Sequence, residues 1–589
     1  MITQFLSKRS KNYIKPILKS YFKFFPKKKL VLENKEFTYN IRANSFFPFR
    51  QKQISKRDEI INFNRISKNV YNDIGQKTYD GIHPEVKELY PSACSFVPYF
   101  ENQSNLVFTN FLSTHYGLNN PQIVLLRYES QKGGEEEIVE KYKTLILLPE
   151  QTIWFNENFV SKSELSQFSK GQLFVYLFDP LFKPSQSQIR YHAVYENNSF
   201  PTCGVHSWVS YKDELVISHK QFLSRRFMPH NETNNNYLMI PPFGKIIKCI
   251  SDKKKLNNTN TNNNSIVTLP HELRPEESTQ RGGFFVKLDK DNFISRIWHD
   301  NGTGVKYPVK QNLKKNTKET DFCFPLEGYY FNLIIPNPVE KNLIIEKNIK
   351  ISAYQLHSDQ LFLEEQIQNS EIINPNNNFF AFEIKLKNFF QKINTKLSQQ
   401  EKKDNQFIRI NIKFETSNLD DTELEDEITT FIYMFDNNDN ICDQIHTEWS
   451  KGSIFGGKKF ISYRTNKFAP FKVKKDCESF AILKNKFSIN QKEKDIKNHK
   501  LRVTVNYSKK INGEKVFLNK TKYLNFDVNH KFHLINIREV FFQEEKDLME
   551  ISGGVHIFCS TLNSWGYWMI QSNNGKGRQF LACDHLTGG

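Results

Sequence analysis

Histidine is the residue type whose clustering gives this sequence its clearest candidate chemistry. Four histidines fall within 39 residues, and a fifth stands beside an aspartate at a polar turn. The candidate metal ligands are His192, His206, His219, His230, His299 and Asp300. Imidazole and carboxylate groups together suit a divalent metal ion. The spacings of 14, 13 and 11 residues match no compact pair such as HxH or HExxH, so we favour ordinary strand histidines over metal ligands.

Other catalytic signatures are missing from the sequence. It contains no GxSxG nucleophile motif, no GxxxxGK[ST] phosphate loop and no GxGxxG dinucleotide fingerprint. The eight cysteines are scattered without a CxxC pair, which is typical of buried thiols in a reducing compartment. We therefore expect no cofactor and no nucleotide chemistry.

Aromatic residues form the candidate binding surface. They are Trp298, Trp565, Tyr567 and Trp568. Successive strand residues face opposite sides, so Trp565 and Tyr567 share one face while Trp568 lies on the other. Such a strand is apolar on both faces. One face enters a core, and the other either stacks on a sugar ring or packs against a neighbouring module or subunit.

The first thirty residues carry nine basic side chains and no acidic one. Aromatic and aliphatic residues lie between them at helical spacing, which predicts a basic amphipathic helical segment on an anionic membrane surface. The expected contact residues are Lys8, Arg9, Lys15, Lys19, Phe22 and Phe25. The alternatives are a helix that packs on its own domain and a solvated tail.

Charge and hydropathy limit the other partners. Half of the net charge of +18 lies in residues 1–30, and the rest of the chain shows no localised basic patch, so we expect no nucleic-acid partner. Oligomerisation stays open. No apolar run approaches the ~18 residues that a spanning helix needs. We expect a cytoplasmic protein, peripheral to a membrane if the N-terminal segment binds one.

The strand pattern predicts a mainly β protein. Aromatic residues make up 14% of the chain, and short apolar runs alternate with turn residues about every ten positions. We therefore predict tandem antiparallel β-sandwich modules of Ig-like or jelly-roll-like type. Gly171, Gly283 and Gly553 each open an apolar run that is followed by an aromatic one, which predicts three similar hairpins.

The predicted domain boundaries follow these signals. The basic N-terminal segment covers 1–30, an irregular mixed region 31–104, and sandwich modules 105–212, 213–310, 325–484 and 485–589, with an Asn-rich insertion at 253–265. The order of strand, Gly-Glu turn and strand in 122–145 recurs in 501–524, so the last module is expected to resemble the first.

The function expected from these features is that of a non-enzymatic, multi-module binding or scaffold protein. An aromatic β surface joined to a basic N-terminal segment suggests glycan or lipid assembly at the cytoplasmic face of a membrane, with a carbohydrate as candidate ligand. The alternative is a metal-dependent enzyme that acts on carbohydrate through the histidine cluster.

Overall fold

The computed structural model describes a large part of the chain. The described residues are 27–32, 35–40, 93–110, 122–131, 138–160, 170–178, 191–206, the short strands between 224 and 304, and 316–336, 349–367, 372–373, 381–416, 431–446, 465–485, 498–511, 514–527, 530–545, 550–559 and 564–587. A hairpin of β1 (Lys27–Leu32) and β2 (Lys35–Asn40) precedes four modules.

Modules 1 and 2 occupy 93–206 and 224–304. Module 1 contains β3 (Ala93–Phe100), β4 (Ser104–Thr109), β5 (Gln122–Gln131), β6 (Ile138–Leu147), β7 (Thr152–Phe155), β8 (Lys170–Phe178), β9 (Tyr191–Asn197) and β10 (Phe200–His206). Module 2 contains β11 (Ser224–Arg225), β12 (Asn235–Met239), β13 (Ile246–Ile250), β14 (Lys255–Asn257), β15 (Ile266–Leu269), β16 (Arg274–Ser278), β17 (Phe284–Leu288), β18 (Ile294–Trp298) and β19 (Thr303–Gly304).

Modules 3 and 4 occupy 316–446 and 465–587. Module 3 contains β20 (Asn316–Pro325), β21 (Tyr329–Pro336), β22 (Lys350–Gln355), β23 (Leu361–Gln366), β24 (Ile372–Ile373), β25 (Ala381–Ile384), β26 (Phe407–Thr416), β27 (Phe431–Asp436) and β28 (Ile441–His446). Module 4 contains β29 (Thr465–Val473), β30 (Cys477–Asn485), β31 (Asn498–Ile511), β32 (Glu514–Asp527), β33 (Phe532–Asn536), β34 (Ile551–Cys559), β35 (Ser564–Asn573) and β36 (Gln579–His585).

All four modules share one antiparallel topology. With eight strands numbered within each module, one sheet has the order 1-6-3-4 and the other 5-2-7-8. Modules 2 and 3 each add one short strand at the edge of a sheet, β19 and β24. The prediction of a mainly β chain of tandem antiparallel sandwiches is confirmed.

Three short helices complete the described secondary structure. They are α1 (Lys387–Lys396), α2 (Gln399–Asp404) and α3 (Ile537–Phe541). In α1, Phe389, Phe390 and Ile393 are buried in the module 3 core. A capping box begins α2, because the Ser398 side chain accepts from the Glu401 amide and the Glu401 carboxylate accepts from the Ser398 amide.

The hairpins predicted at Gly171 and Gly553 are wrong. Gly553 lies in β34, which pairs with β29 and β31, whereas the aromatic run that follows is β35, which pairs with β30 and β36. The connection crosses from one sheet to the other, and the same holds for β8 and β9. Only Gly283 precedes two paired strands, β17 and β18. The strands joined by these two connections, β8 with β9 and β34 with β35, each already have a neighbour on both sides in their own sheet. They therefore have no open edge at which to pair with each other.

Several module limits differ from those expected. Ala93 to Phe100 is the first strand of module 1, although 31–104 was expected to be irregular. Module 4 begins at Thr465 rather than 485, because β29 and β30 pair with β34 and β35. Lys255–Asn257 within the Asn-rich stretch pairs with β13. Strands near a module boundary have the same apolar periodicity in both modules. Only their pairing shows to which module each strand belongs.

Candidate functional site

The eighth strands of the four modules meet at one junction. Each is the last strand of its sheet, and β10 lies alongside β36, β36 alongside β28, β28 alongside β18, and β18 alongside β10. An edge strand exposes backbone N–H and C=O groups that need partners once water is excluded. At this junction, side chains of neighbouring modules provide some of those partners.

Asp584 in β36 binds His206 in β10 twice. Its Oδ2 accepts from the His206 backbone N–H at 2.6 Å, and its Oδ1 accepts from His206 Nδ1 at 2.9 Å. The Oδ1 atom also accepts from the His585 amide at 2.7 Å. The two side chains are 1% and 4% exposed, so this contact between modules 1 and 4 lies in the interior.

Asp443 in β28 joins the same two strands to module 3. Its Oδ2 accepts from the Gly204 amide of β10 and the Cys583 amide of β36, each at 2.8 Å. Its Oδ1 accepts from the Gln444 amide at 2.8 Å and lies 3.6 Å from Cys203 Sγ. Backbone N–H groups stabilise a buried carboxylate strongly. One aspartate therefore links three modules.

His192 in β9 links Trp568 of β35 to the C-terminal residues. Trp568 Nε1–H donates to His192 Nδ1 at 3.2 Å, which requires that this nitrogen be unprotonated. The proton is then on Nε2, which lies 3.2 Å from Thr587 Oγ1 and 3.4 Å from the Phe468 carbonyl oxygen. His192 is thus a neutral imidazole that bridges modules 1 and 4.

Gly204 makes room for the Trp568 ring. A Cβ atom at this position would lie 2.3 Å from Trp568 Cη2 and 2.8 Å from the Cys583 carbonyl oxygen. Both distances are far below ordinary contact, so any side chain here would push β10 away from β36. Glycine is needed for close approach rather than for an unusual backbone conformation.

Tyr567 and Trp568 do not form an exposed aromatic surface, which corrects the expectation of a sugar platform at these two residues. They are 1% and 0% exposed. Tyr567 packs into the module 3 core, where its hydroxyl donates to the Cys323 carbonyl at 2.5 Å and accepts from the Cys323 amide at 2.8 Å. Trp568 packs between the sheets of module 4. Of the two alternatives for the second face, packing against a neighbouring module is the one observed.

The remaining candidate residues are less fully described. Backbone positions place Trp298 in β18 and Trp565 in β35 beside Lys484. The following lie outside the described residues: His219, His230, His299, Asp300, Lys8, Arg9, Lys15, Lys19, Phe22 and Phe25. His192 and His206 are brought together, with ring centroids 6.4 Å apart.

The junction histidines have hydrogen-bonding roles rather than an open ligand set. Nδ1 of His192 faces the Trp568 N–H, and Nδ1 of His206 faces Asp584. Within the described ranges, no group of three His, Cys, Asp or Glu residues is arranged to hold a metal ion. Six cysteines have described side chains, and all six are buried. The arrangement can fix strands and hold protons in place.

A second contact joins modules 1 and 4 away from the junction. Lys472 Nζ lies 3.0 Å from both Glu196 Oε1 of β9 and Glu550 Oε1, although its side chain is only 3% exposed. Burial alone would lower the pKa of Lys472, but the two carboxylates outweigh it and raise the pKa above its usual value. The lysine stays charged, and the ion pair fixes β9 against β29.

His556 of β34 meets module 1 in the neutral state. Its Nε2 lies 3.1 Å from Thr109 Oγ1, and the nearby Trp154 Nε1–H donates to the Gly553 carbonyl at 2.8 Å. Burial, with a smaller effect of Arg502, lowers the pKa of His556 to about 3. The imidazole is therefore uncharged in this contact at neutral pH.

Asp443 and Asp584 were not foreseen from the sequence. A signal for them exists, because the dipeptide Cys-Asp occurs twice, as Cys442-Asp443 and Cys583-Asp584, each in the eighth strand of its module. An acidic residue inside an otherwise apolar last strand indicates a buried partner. Recognising it requires the correct module limits first.

Comparison with known proteins adds one partial similarity. No family model matches the chain. A DNA primase of Rickettsia prowazekii (strain Madrid E) is 31% identical over 121 residues, which cover 19% of this chain and 17% of that protein. So short a segment shows no family. In the part of the chain that the structure describes, no helix is both long and apolar enough to cross a membrane.

Proposed function

We propose that this chain is a non-enzymatic binding or scaffold protein made of tandem β-sandwich modules, with glycan or lipid assembly at the cytoplasmic face of a membrane as its setting. One observation carries the proposal. The polar groups best suited to chemistry, His192, His206, Asp443 and Asp584, are bonded across module boundaries in the interior. Their arrangement favours rigid joining of modules over turnover of a substrate.

Rigid joining has a direct consequence for binding. Modules held in fixed orientations present their outer sheets in a fixed pattern, and a preorganised surface loses less entropy when a partner docks. Several weak contacts on one rigid body also act together, because each contact holds the next at high effective concentration. A multi-module scaffold gains affinity in this way without a deep pocket.

Two of the four predicted aromatic residues remain candidates for contact with a carbohydrate ligand. A carbohydrate stacked on an aromatic face would have to meet Trp298 or Trp565, since Tyr567 and Trp568 are in the interior. Contact with an anionic membrane through residues 1–30 is proposed on their charge and spacing alone.

A metal-dependent enzyme acting on carbohydrate is the second candidate. One observation favours it, because His206 has His192 at 6.4 Å and His585 at 5.7 Å between ring centroids, with Asp584 adjoining. We rank it second because the Nδ1 atoms of His192 and His206 already have partners within the protein.

The two candidates are separated by the variant His206→Gln in the full-length chain. The scaffold proposal predicts that the wild-type protein holds no stoichiometric metal and that the variant unfolds at a lower temperature, because a buried hydrogen bond to Asp584 is lost. The exposed His357→Gln serves as the matched control and should leave the midpoint unchanged. A stoichiometric metal that the His206 variant loses at unchanged stability, together with glycoside turnover, would establish the enzyme instead.

A further inference from the structure

The hairpin of β31 and β32 is the longest strand pair of the described chain. The two strands pair along all 14 residues, but β34 pairs with β31 only from Arg502 to Ser508. The turn end of the hairpin therefore extends beyond the neighbouring strand. β32 is also the last strand of its sheet, and eight of its fourteen residues are exposed.

Large apolar side chains are concentrated on this hairpin. Ile511, Phe517 and Tyr523 are 42%, 41% and 63% exposed, and they are three of the four exposed large hydrophobic residues in the described chain. Phe517 and Tyr523 lie on the same face of β32, about 20 Å apart along the strand. Exposed aromatic residues on a strand edge promote association, so this edge is not simply protected from other molecules.

Positive charge surrounds these apolar residues. The hairpin contains seven basic and two acidic residues, a net charge of +5. Lys500 Nζ lies 5.7 Å from the Tyr523 ring centroid, and Lys515 Nζ lies 5.7 Å from that of Phe517. Part of the charge is compensated, because Lys509 and Lys520 contact Glu545 at 3.5 and 3.4 Å.

Basic residues lie on both faces of the hairpin. Lys500, Arg502 and Lys515 share the face of Tyr523, since Arg502 stands directly opposite Tyr523 in the register. Lys522 is exposed on the other face, opposite the buried Val503. Lysines alone are a common protection of open sheet edges. Combined with exposed Ile511, Phe517 and Tyr523, they match the composition of segments that lie in a membrane interface.

From this arrangement we infer that the β31–β32 hairpin docks edge-on to an anionic phospholipid surface. Lys500, Arg502, Lys515 and Lys522 contact the headgroups, and Phe517, Tyr523 and Ile511 enter the interface. The inference deepens the proposed setting at a membrane and is independent of residues 1–30. Phe517 and Tyr523 share a face but lie about 20 Å apart, which is too far for stacking on successive bases of a single-stranded nucleic acid. An aliphatic side chain at the turn end and cations on both faces fit a bilayer better.

The inference is tested on the full-length chain with vesicles of phosphatidylcholine alone and with 30% phosphatidylserine. The variant K500E/R502E/K515E should bind the anionic vesicles about a hundredfold more weakly, because each basic residue near an anionic surface contributes about fivefold in affinity and reversal exceeds removal. The matched control K385E/K403E/K413E reverses three exposed lysines of module 3 and should bind like the wild type.

Apolar contact is tested separately by F517S/Y523S, which should weaken binding about tenfold without changing net charge. Both side chains are exposed, so folding should be preserved. Equal binding of the wild type and both hairpin variants would overturn the inference while leaving the scaffold proposal intact. The inference would also be overturned if the wild type bound a single-stranded oligonucleotide but no vesicles, and if the two hairpin variants lost that binding. This result would identify a nucleic-acid site.

Discussion

The Asp584 carboxylate accepts two hydrogen bonds from His206, a residue 378 positions away in the sequence, one from the backbone and one from the imidazole. The pair holds an edge strand of module 1 against an edge strand of module 4. Together with Asp443 it joins the edge strands β10, β28 and β36 of three modules in one buried junction.

Replacing Asp584 with asparagine should destabilise the protein by about 3 kcal/mol, the lower end of the range for breaking a buried charged contact. An amide of the same shape would point its NH2 group at one of the His206 donors. Urea unfolding followed by tryptophan fluorescence measures the change. The exposed Asp404→Asn should stay within about 0.5 kcal/mol of the wild type. A similarly small change for Asp584→Asn would show that the pair does not hold the junction.

Gly204→Ala should cost about 1 to 3 kcal/mol of unfolding free energy, because the added methyl group overlaps the Trp568 ring. The double variant G204A/W568F removes part of that overlap. We therefore expect the two changes to be non-additive by about 1 kcal/mol in a double-mutant cycle. Strict additivity would mean that β10 and β35 are not in contact as described.

Tyr567 should behave as a core residue. Tyr567→Phe leaves two polar backbone groups of Cys323 without the hydroxyl and should cost about 1 to 3 kcal/mol. Tyr567→Ala should cost about 3 to 5 kcal/mol, the scale of large aromatic deletions. Tyr523→Ala, at an exposed position, is the control and should be nearly neutral. Carbohydrate binding lost in Tyr567→Ala at unchanged stability would place that residue on a surface after all.

Stability should fall as the solution is acidified below pH 6.5. The pKa of His556 is about 3 in the folded protein and near 6.5 in the unfolded chain, so between these values the unfolded state binds the extra proton. The contribution of this group is complete above pH 6.5 and is lost progressively toward pH 3, with a slope of up to about 1.4 kcal/mol per pH unit. His556→Gln should reduce the pH dependence of the unfolding free energy by the contribution of one proton. An unchanged profile would contradict a buried neutral imidazole.

The sequence was informative about strands and poor about their partners. The order of strand, Gly-Glu turn and strand in 501–524 identified the pair β31 and β32, which are joined along 14 residues. Gly553 was misread as the start of a hairpin, since a strand buried on both sides looks the same whether its neighbour is the next strand or a distant one. The aromatic run at Tyr567 was correctly judged apolar on both faces, yet only packing shows that both faces are internal.

The junction was beyond sequence reasoning for a related reason. His192 and His206 were grouped by proximity along the chain, whereas their partners Trp568 and Asp584 lie more than 370 positions away. A buried charge needs a partner because its burial is otherwise costly, but many acidic residues of the chain could have been that partner. Identifying Asp443 and Asp584 required the strand order of four modules.

Amide hydrogen exchange at the junction tests the central claim most directly. The amides of Gly204, His206 and Cys583 lie on edge strands, and each donates to a buried carboxylate of a neighbouring module or strand. If the modules are locked together, these three amides should exchange only through openings as costly as those that expose the interior strand β35. Exchange at the rate of the open edge strand β32 would show that the modules separate freely, and the scaffold account would then be wrong.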